Sequence, residues 1–353
     1  MNIWLQHVNE VILVAPIRKS NTIDPIESCY LHDNIKVLPL KYFPEYYKPD
    51  YSFFSRKYFW FTLRTTFLFL PNLLNGMFHA EHIHLRCPGY IGLLGCILQI
   101  LFPFKKKSAK YAGNWDWASN QPASYRFQQR ILRNTFLSKN MQVLVYGEWK
   151  DKTRNIIPAF TATYSEVLKK EFVKPDLHQC INLLFVGTLS SGKRPELCLE
   201  VLSLIKKKGY KVKLTFCGNG PLYELLKEES LKMGLNKDVV ILGNLNANDL
   251  IDKYIDSHFL ILPSKSEGWP KVLAEAMWWG VIPLATSISC VPQMLGDGTR
   301  GIIVQPDPEE ITNRINEVIQ SDSLYNKLSN SGLVWSRNYT MEKFEEQIIK
   351  LIQ

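Results

Sequence analysis

From residue 181 onward, short apolar runs alternate with stretches whose apolar residues recur at helical spacing. Ile181–Val186 (INLLFV) is a continuous apolar run closed by Gly187, the pattern of a strand buried on both faces of a parallel sheet. Residues 195–208 (PELCLEVLSLIKKK) carry a proline near the start, lysines at the end and Gly209 as the stop, so they predict an amphipathic helix. Strands over 212–216, 239–242, 259–262 and 282–285, with helices over 222–233, 247–255 and 272–279, continue the rhythm. Such alternation predicts a doubly wound α/β domain.

The first half shows the rhythm less clearly. Strand patterns fall at 11–15, 35–38, 83–85, 109–111 and 143–146, and helical patterns around 58–70, 90–101 and 124–138. The chain therefore divides into an amino-terminal Rossmann-like domain over 1–168 and a carboxyl-terminal one over 178–334, joined by a polar stretch containing Pro175. Residues 335–353 hold a last amphipathic helix, near 341–352, expected to pack back on the amino-terminal domain. Only Gly76 occurs in the first 88 residues, so the glycine-rich turn that should follow the first strand of a phosphate-binding half is missing.

Composition narrows the class. At 353 residues, 46% hydrophobic and 21% charged, the chain has core enough for two globular domains, which excludes disordered, collagen-like and disulfide-scaffold proteins. Residues 1–160 hold 20 Lys and Arg against 10 Asp and Glu, while the remainder holds 22 against 23. The excess of the first half suggests an anionic partner there. The seven cysteines are scattered without a C-x-x-C pair and read as reduced core residues of a cytoplasmic protein. The start of the chain lacks the charged and apolar regions of a signal peptide, and the least polar stretch, residues 89–104, is shorter than the roughly 20 residues that span a bilayer.

The densest candidate chemistry lies in residues 264–280, SKSEGWPKVLAEAMWWG. An apolar strand ends at Pro263, a short loop holds Glu267 and Gly268, and Pro270 suits the first turn of a helix that Gly280 can cap. A helix N-terminus at the carboxyl end of a parallel strand attracts phosphate, a carboxylate in its mouth can accept sugar hydroxyls, and Glu275 can reach a ribose lying along the helix. A second turn, residues 187–194 (GTLSSGKR), offers Lys193 and Arg194 to a diphosphate, and a third, CGNGP from Cys217, implies close backbone approach at Gly218. In the first half, KYAGNWD ends a strand pattern. There Asn114 and Asp116 can bind a sugar, and Trp115 can either stack on one or anchor the turn. His82 and His84 lack a third ligand at metal spacing and no Asp-x-Asp pair occurs, so no metal cofactor is expected. Neither a Gly-x-Ser-x-Gly nor a P-loop motif is present, against a serine hydrolase and a P-loop NTPase.

These motifs together, VGTLSSGKRPELCLEV, CGNGP and LPSKSEGWPKVLAEAMWWGVIPLAT, resemble the carboxyl-terminal domain of family 4 retaining glycosyltransferases of the GT-B fold, with Glu267 and Glu275 meeting the E-x7-E signature. HIHLRCPG and YAGNWD are similar to bacterial polysaccharide glycosyltransferases. The resemblance implies two Rossmann-like domains facing a cleft, and a nucleotide-sugar donor on the second. Glu275 would hold the ribose and Glu267 the donor sugar. Gly187 and Gly218 would line the donor site, Lys193 and Arg194 would neutralise the diphosphate, and the backbone of Gly268, Trp269, Pro270, Lys271 and Val272 would meet it. Asn114 and Asp116 would face the acceptor, a glycan or lipid-linked glycan at an anionic membrane surface on the cytoplasmic side. The chain departs from the family in having Thr188 where Gly-Arg is common, Gly113 or Asn114 near the place of a first-domain histidine, and no evident first strand. A nucleotide-sugar epimerase, a truncated inactive nucleotide-binding remnant and, with no recognisable module to support it, a nucleic-acid-binding protein are the competing readings.

Overall fold

Leucine- and valine-rich segments of the first half assemble into two separate parallel sheets. In the computed structural model, which describes residues 2–17, 27, 29–43, 56–150 and 152–352, the chain opens with α1 (Asn2–Leu5) and β1 (Val11–Ile17). β1 pairs with β2 (Ile35–Lys41), Val11 opposite Ile35. The helix α2 (Arg56–His79) lies on this pair, close enough that a Cβ at Gly76 would stand 2.8 Å from Val14 Cγ2. It passes through Pro71, where the periodicity around 58–70 ends. Packing on β1 and β2 carries the helix past the local breaker.

The second sheet runs β3 (His82–Cys87), β4 (Lys106–Tyr111), β5 (Met141–Tyr146) and β6 (Ile156–Ala159), all parallel. Its alternation sorts two faces. Ile83, Leu85, Cys87, Ala109, Tyr111, Val143 and Val145 pack in a core with Leu94, Cys96, Ile131 and Leu132 of α3 (Tyr90–Leu98) and α4 (Ala123–Arg133). α4 stops at Arg133, short of the expected 138, because Asn134 turns extended and its side chain accepts from the N–H groups of Phe136 and Leu137. Among the described residues no strand joins β1 to β3.

The carboxyl-terminal domain is built on β7 (Ile181–Val186), β8 (Val212–Cys217), β9 (Val239–Ile241), β10 (Phe259–Leu262), β11 (Ile282–Thr286) and β12 (Ile302–Val304). Their spatial order is β12-β11-β10-β7-β8-β9, the doubly wound Rossmann arrangement. Every residue of β10 and β11 is buried, which explains their unbroken apolar sequence. Helices α5 (Glu196–Lys207), α6 (Tyr223–Lys232), α7 (Ala247–Ile255), α8 (Lys271–Trp278), α9 (Val291–Met294), α10 (Pro308–Ile319) and α11 (Asp322–Ser336) flank the sheet. The order reverses between β7 and β10, so the loops after these two strands flank the crevice where ligands of such sheets bind.

The final helix α12 (Met341–Ile352) returns to the first domain. Phe344, Ile348 and Leu351 bury against Trp4, Leu144 and Ala159, and Glu342 accepts from Ser165 and from the N–H of Glu166 at the crossing. No helix among the described residues is long and apolar enough to cross a membrane.

Candidate active site

The loop after β10 meets the loop after β7 because their backbones bond directly: the N–H of Lys265 donates to Gly192 O at 2.8 Å. This brings Lys193 onto Glu267, whose carboxylate is 9% exposed and forms a short ion pair with the Lys193 ammonium. Arg194 sits in the left-handed region at φ 52° and turns its guanidinium to Pro263 O, 3.2 Å away, at the end of the β10 loop. Lys193 thus stands at the loop that leads into α8 and Arg194 at the end of β10. One is held by a carboxylate and the other by a carbonyl.

Glu275 lies one turn further along α8 and is gripped from two sides. Thr163 donates to Oε1 at 2.6 Å and Tyr254 to Oε2 at 2.8 Å. Burial and the Glu275 carboxylate hold the Tyr254 phenol well above its usual range, so it stays a donor. A carboxylate has about four lone-pair sites, so two remain open to further donors.

Glycines fix how closely the loops approach. A Cβ on Gly218 would stand 2.0 Å from Gly187 O, and Gly218 itself bonds to Gly243 O at 2.7 Å, so the turns after β7, β8 and β9 lie in contact. Gly268 does the same between domains. Its Cβ would meet Ala112 O at 2.2 Å, and its carbonyl accepts from Cys290 Sγ at 3.0 Å and Ser289 Oγ at 3.2 Å. Next to it, Trp269 points into the domain junction, its Nε1 donating to Thr161 O at 3.1 Å and its ring 5.9 Å from Tyr146. Pro270 is buried, Lys271 opens α8 exposed, and Val272 packs on the core.

Across this junction stands the loop after β4. Asn114 Oδ1 accepts from the N–H of Asp116 and Asp116 Oδ1 from the N–H of Ala118, each at 2.9 Å, so both side chains serve the loop's own turns. Trp115 is 4% exposed and packs edge-on to Tyr111 at 4.9 Å, which makes it the anchor of that loop and not a sugar platform. His84 lies 4.0 Å from the Trp4 ring, and both His82 and His84 bond Ser108 Oγ; burial pulls His84 down to about 3, so it is neutral. Of the basic run, Lys105 donates to three carbonyls, Met77, Phe78 and Ala80, and Lys107 is buried against Gln99. Part of the positive charge of the first half is therefore structural.

Thr163, Tyr254, Thr161 and Tyr146 are site-forming residues without a local sequence signal. Arg86 and Lys110 do have one. Each is a charged residue next to last in its strand, on the face opposite the apolar row.

Two facing Rossmann-like domains, with the carboxylates at the switch point of the second, define a protein of the GT-B class. Residues 170–335 match the family described as glycosyl transferases group 1, so the likeness lies in the carboxyl-terminal half of the chain. It is similar to an uncharacterized glycosyltransferase of Haemophilus influenzae, 30% identical over 200 residues that cover 56% of this chain and 55% of the relative. It is also similar to the capsular polysaccharide biosynthesis glycosyltransferase CapM of Staphylococcus aureus, 26% identical over 167 residues, 47% of this chain and 42% of that one. The chain spans about half the length of the curated relatives it matches. Among solved structures, sucrose-phosphate synthase from Thermosynechococcus elongatus has a TM-score of 0.66 at 16% identity, covering 97% of this chain and 88% of its own. HepE of Anabaena in complex with UDP and glucose has a TM-score of 0.65 at 13% identity, covering 91% and 86%. These likenesses show the fold.

Proposed function

We propose that the protein is a retaining glycosyltransferase that moves a sugar from a nucleotide-sugar donor, held on the carboxyl-terminal domain, to a glycan or lipid-linked glycan acceptor entering from the amino-terminal domain. The observation that carries this reading is the pairing of Lys193 with Glu267 at the mouth of α8, opposite the Ala112 carbonyl of the other domain. A diphosphate leaving group placed there meets the Lys193 ammonium and the N-terminus of α8, which stabilise developing negative charge without requiring a metal ion. Glu267 then faces the donor sugar and Glu275 the ribose. Retention follows from attack on the same face as the departing phosphate or through a short-lived ion pair, with no protein nucleophile. The capsule-synthesis name of the Staphylococcus aureus relative supports a surface-polysaccharide product. UDP in the HepE structure makes uridine donors the first to test. Action at the inner face of the cytoplasmic membrane is part of the proposal, supported by the basic first domain.

The test is incubation of the full chain with UDP-, GDP- and ADP-sugars, with and without a lipid-linked acceptor, and NMR assignment of the anomeric configuration of donor and product. Acceptor-dependent release of nucleoside diphosphate with an unchanged configuration is expected. Release of a free altered sugar without acceptor marks an epimerase instead, and an inverted product removes the retaining mechanism.

A further inference from the structure

Three cations without a carboxylate partner meet where the two domains touch. Arg86 on β3 and Lys110 on β4 are paired in register, so their side chains leave the same face of the sheet at its carboxyl edge. Lys110 Nζ lies 3.2 Å from Thr161 Oγ1, with the rings of Phe344 at 4.9 Å and Tyr146 at 5.7 Å around it. Thr161 ties this ammonium to the site: its hydroxyl is 2.9 Å from Tyr146 Oη and its carbonyl accepts from Trp269, two residues from Glu267. Lys271 opens α8 three residues after Gly268, whose close approach to Ala112 O brings the start of that helix to the end of β4, two residues from Lys110. Among the described residues none of the three forms an ion pair, whereas Lys193 is held by Glu267 and Arg194 by Pro263 O. Burial and the repulsion from Arg86 and Lys271 pull Lys110 down to about 8. Arg86 and Lys271 are exposed and Lys110 is half-buried between them, so an anion reaching the exposed pair relieves the like charge around Lys110.

We propose that Arg86, Lys110 and Lys271 form a phosphate-binding platform shared by both domains, holding a phosphate or diphosphate group carried by the donor or by a phosphorylated acceptor. The identity of the phosphate carrier rests on the sugar-transfer reading; the platform itself does not. On the donor side it would add contacts from the amino-terminal domain to those of Lys193 and the start of α8. On the acceptor side it would select substrates bearing a phosphate next to the attacking hydroxyl. Arg86 offers a bidentate fork and the lysines point charges.

Calorimetric titration of the full chain with inorganic pyrophosphate, and separately with UDP, tests this. The double variant Arg86→Gln with Lys110→Met is expected to bind pyrophosphate at least about tenfold more weakly, and Lys271→Gln several-fold more weakly, since charge-assisted hydrogen bonds are lost. Lys207→Gln, on the far side of α5, is expected to change nothing. Parallel weakening of UDP assigns the platform to the donor diphosphate; unchanged UDP affinity with weakened pyrophosphate assigns it to the acceptor. Wild-type protein that does not bind pyrophosphate, or variants that bind it as well as wild type, overturn the platform. If the double variant does not fold, Lys271→Gln at its exposed position decides alone. Should no nucleotide sugar be turned over while the pyrophosphate results hold, the transfer reading fails and the platform stands.

Discussion

Glu267 and Glu275 share one motif but hold different company, and the difference separates their roles. The first has a cation against it in the crevice mouth, and the second is fixed by two hydroxyls along the helix. Glu267→Gln is therefore expected to lower kcat by about 100-fold or more, as loss of a transition-state contact does, with UDP affinity retained. Glu275→Ala is expected to show the converse in calorimetry, loss of UDP binding; unchanged affinity would remove the ribose role. Lys110 gives a pH dependence. Burial, with Arg86 and Lys271, lowers it to about 8, below its unfolded value, so between that pH and the usual lysine range the unfolded chain binds a proton that the folded chain has released. Stability from this group rises with pH across that window and is diminished below it. Lys110→Met should raise the melting temperature at pH 7 and flatten its rise between pH 8 and 10, and wild-type pyrophosphate affinity should fall as pH passes 8. A melting profile identical in variant and wild type would sink this account.

At the scale of elements, the strand-loop-helix unit from β10 to α8 was legible because three local rules agree on it: an unbroken apolar run, a proline at the N-cap and a glycine closing the helix. Its contact with the other domain was not legible. Gly268 reads in sequence as a flexible loop residue, yet its place is set by Ala112 O, a backbone atom 156 positions away in a loop of the other domain that Trp115 anchors. Thr163 and Tyr254 were hidden for the same reason, since hydroxyls on separate elements converge only after folding. β6 and β12 are four and three residues long, one broken by Pro158, too short for alternation to register. Lys105 and Lys107 count toward the positive excess that suggested an anionic partner, but one closes the carbonyl end of α2 and the other is buried beside Gln99. Gly268→Ala follows from the first point. The nearest neighbour of its Cβ is main chain and cannot swing aside, so the loop must shift away from Ala112; transfer activity is expected to fall while the fold, followed by far-UV circular dichroism, remains. Ile348→Ala on α12, fully buried against the first domain, is expected to cost about 2–5 kcal/mol in denaturant unfolding.

For the whole molecule, the positive excess of the first half, reduced by the structural lysines, still surrounds a band of exposed apolar side chains. On α2, Leu63, Phe67 and Leu68 face outward beside Arg64, and Phe104 stands 85% exposed with Lys139 Nζ 5.3 Å from its ring. Soluble domains seldom leave so many large side chains bare without a partner surface. A bilayer with anionic headgroups suits both components: each aromatic ring that enters the interface removes apolar area from water, and each nearby Lys or Arg adds about 1 kcal/mol. Flotation with vesicles containing phosphatidylglycerol should therefore capture the protein at low salt, phosphatidylcholine vesicles should capture little, and Phe67→Ser with Phe104→Ser should release it while UDP affinity stays unchanged. The order of these effects discriminates the sources of binding. Release by salt alone, with the serine variants still bound, means the charges act without insertion; equal capture by both vesicle types removes the anionic surface from the account and leaves a soluble glycan as the acceptor to pursue.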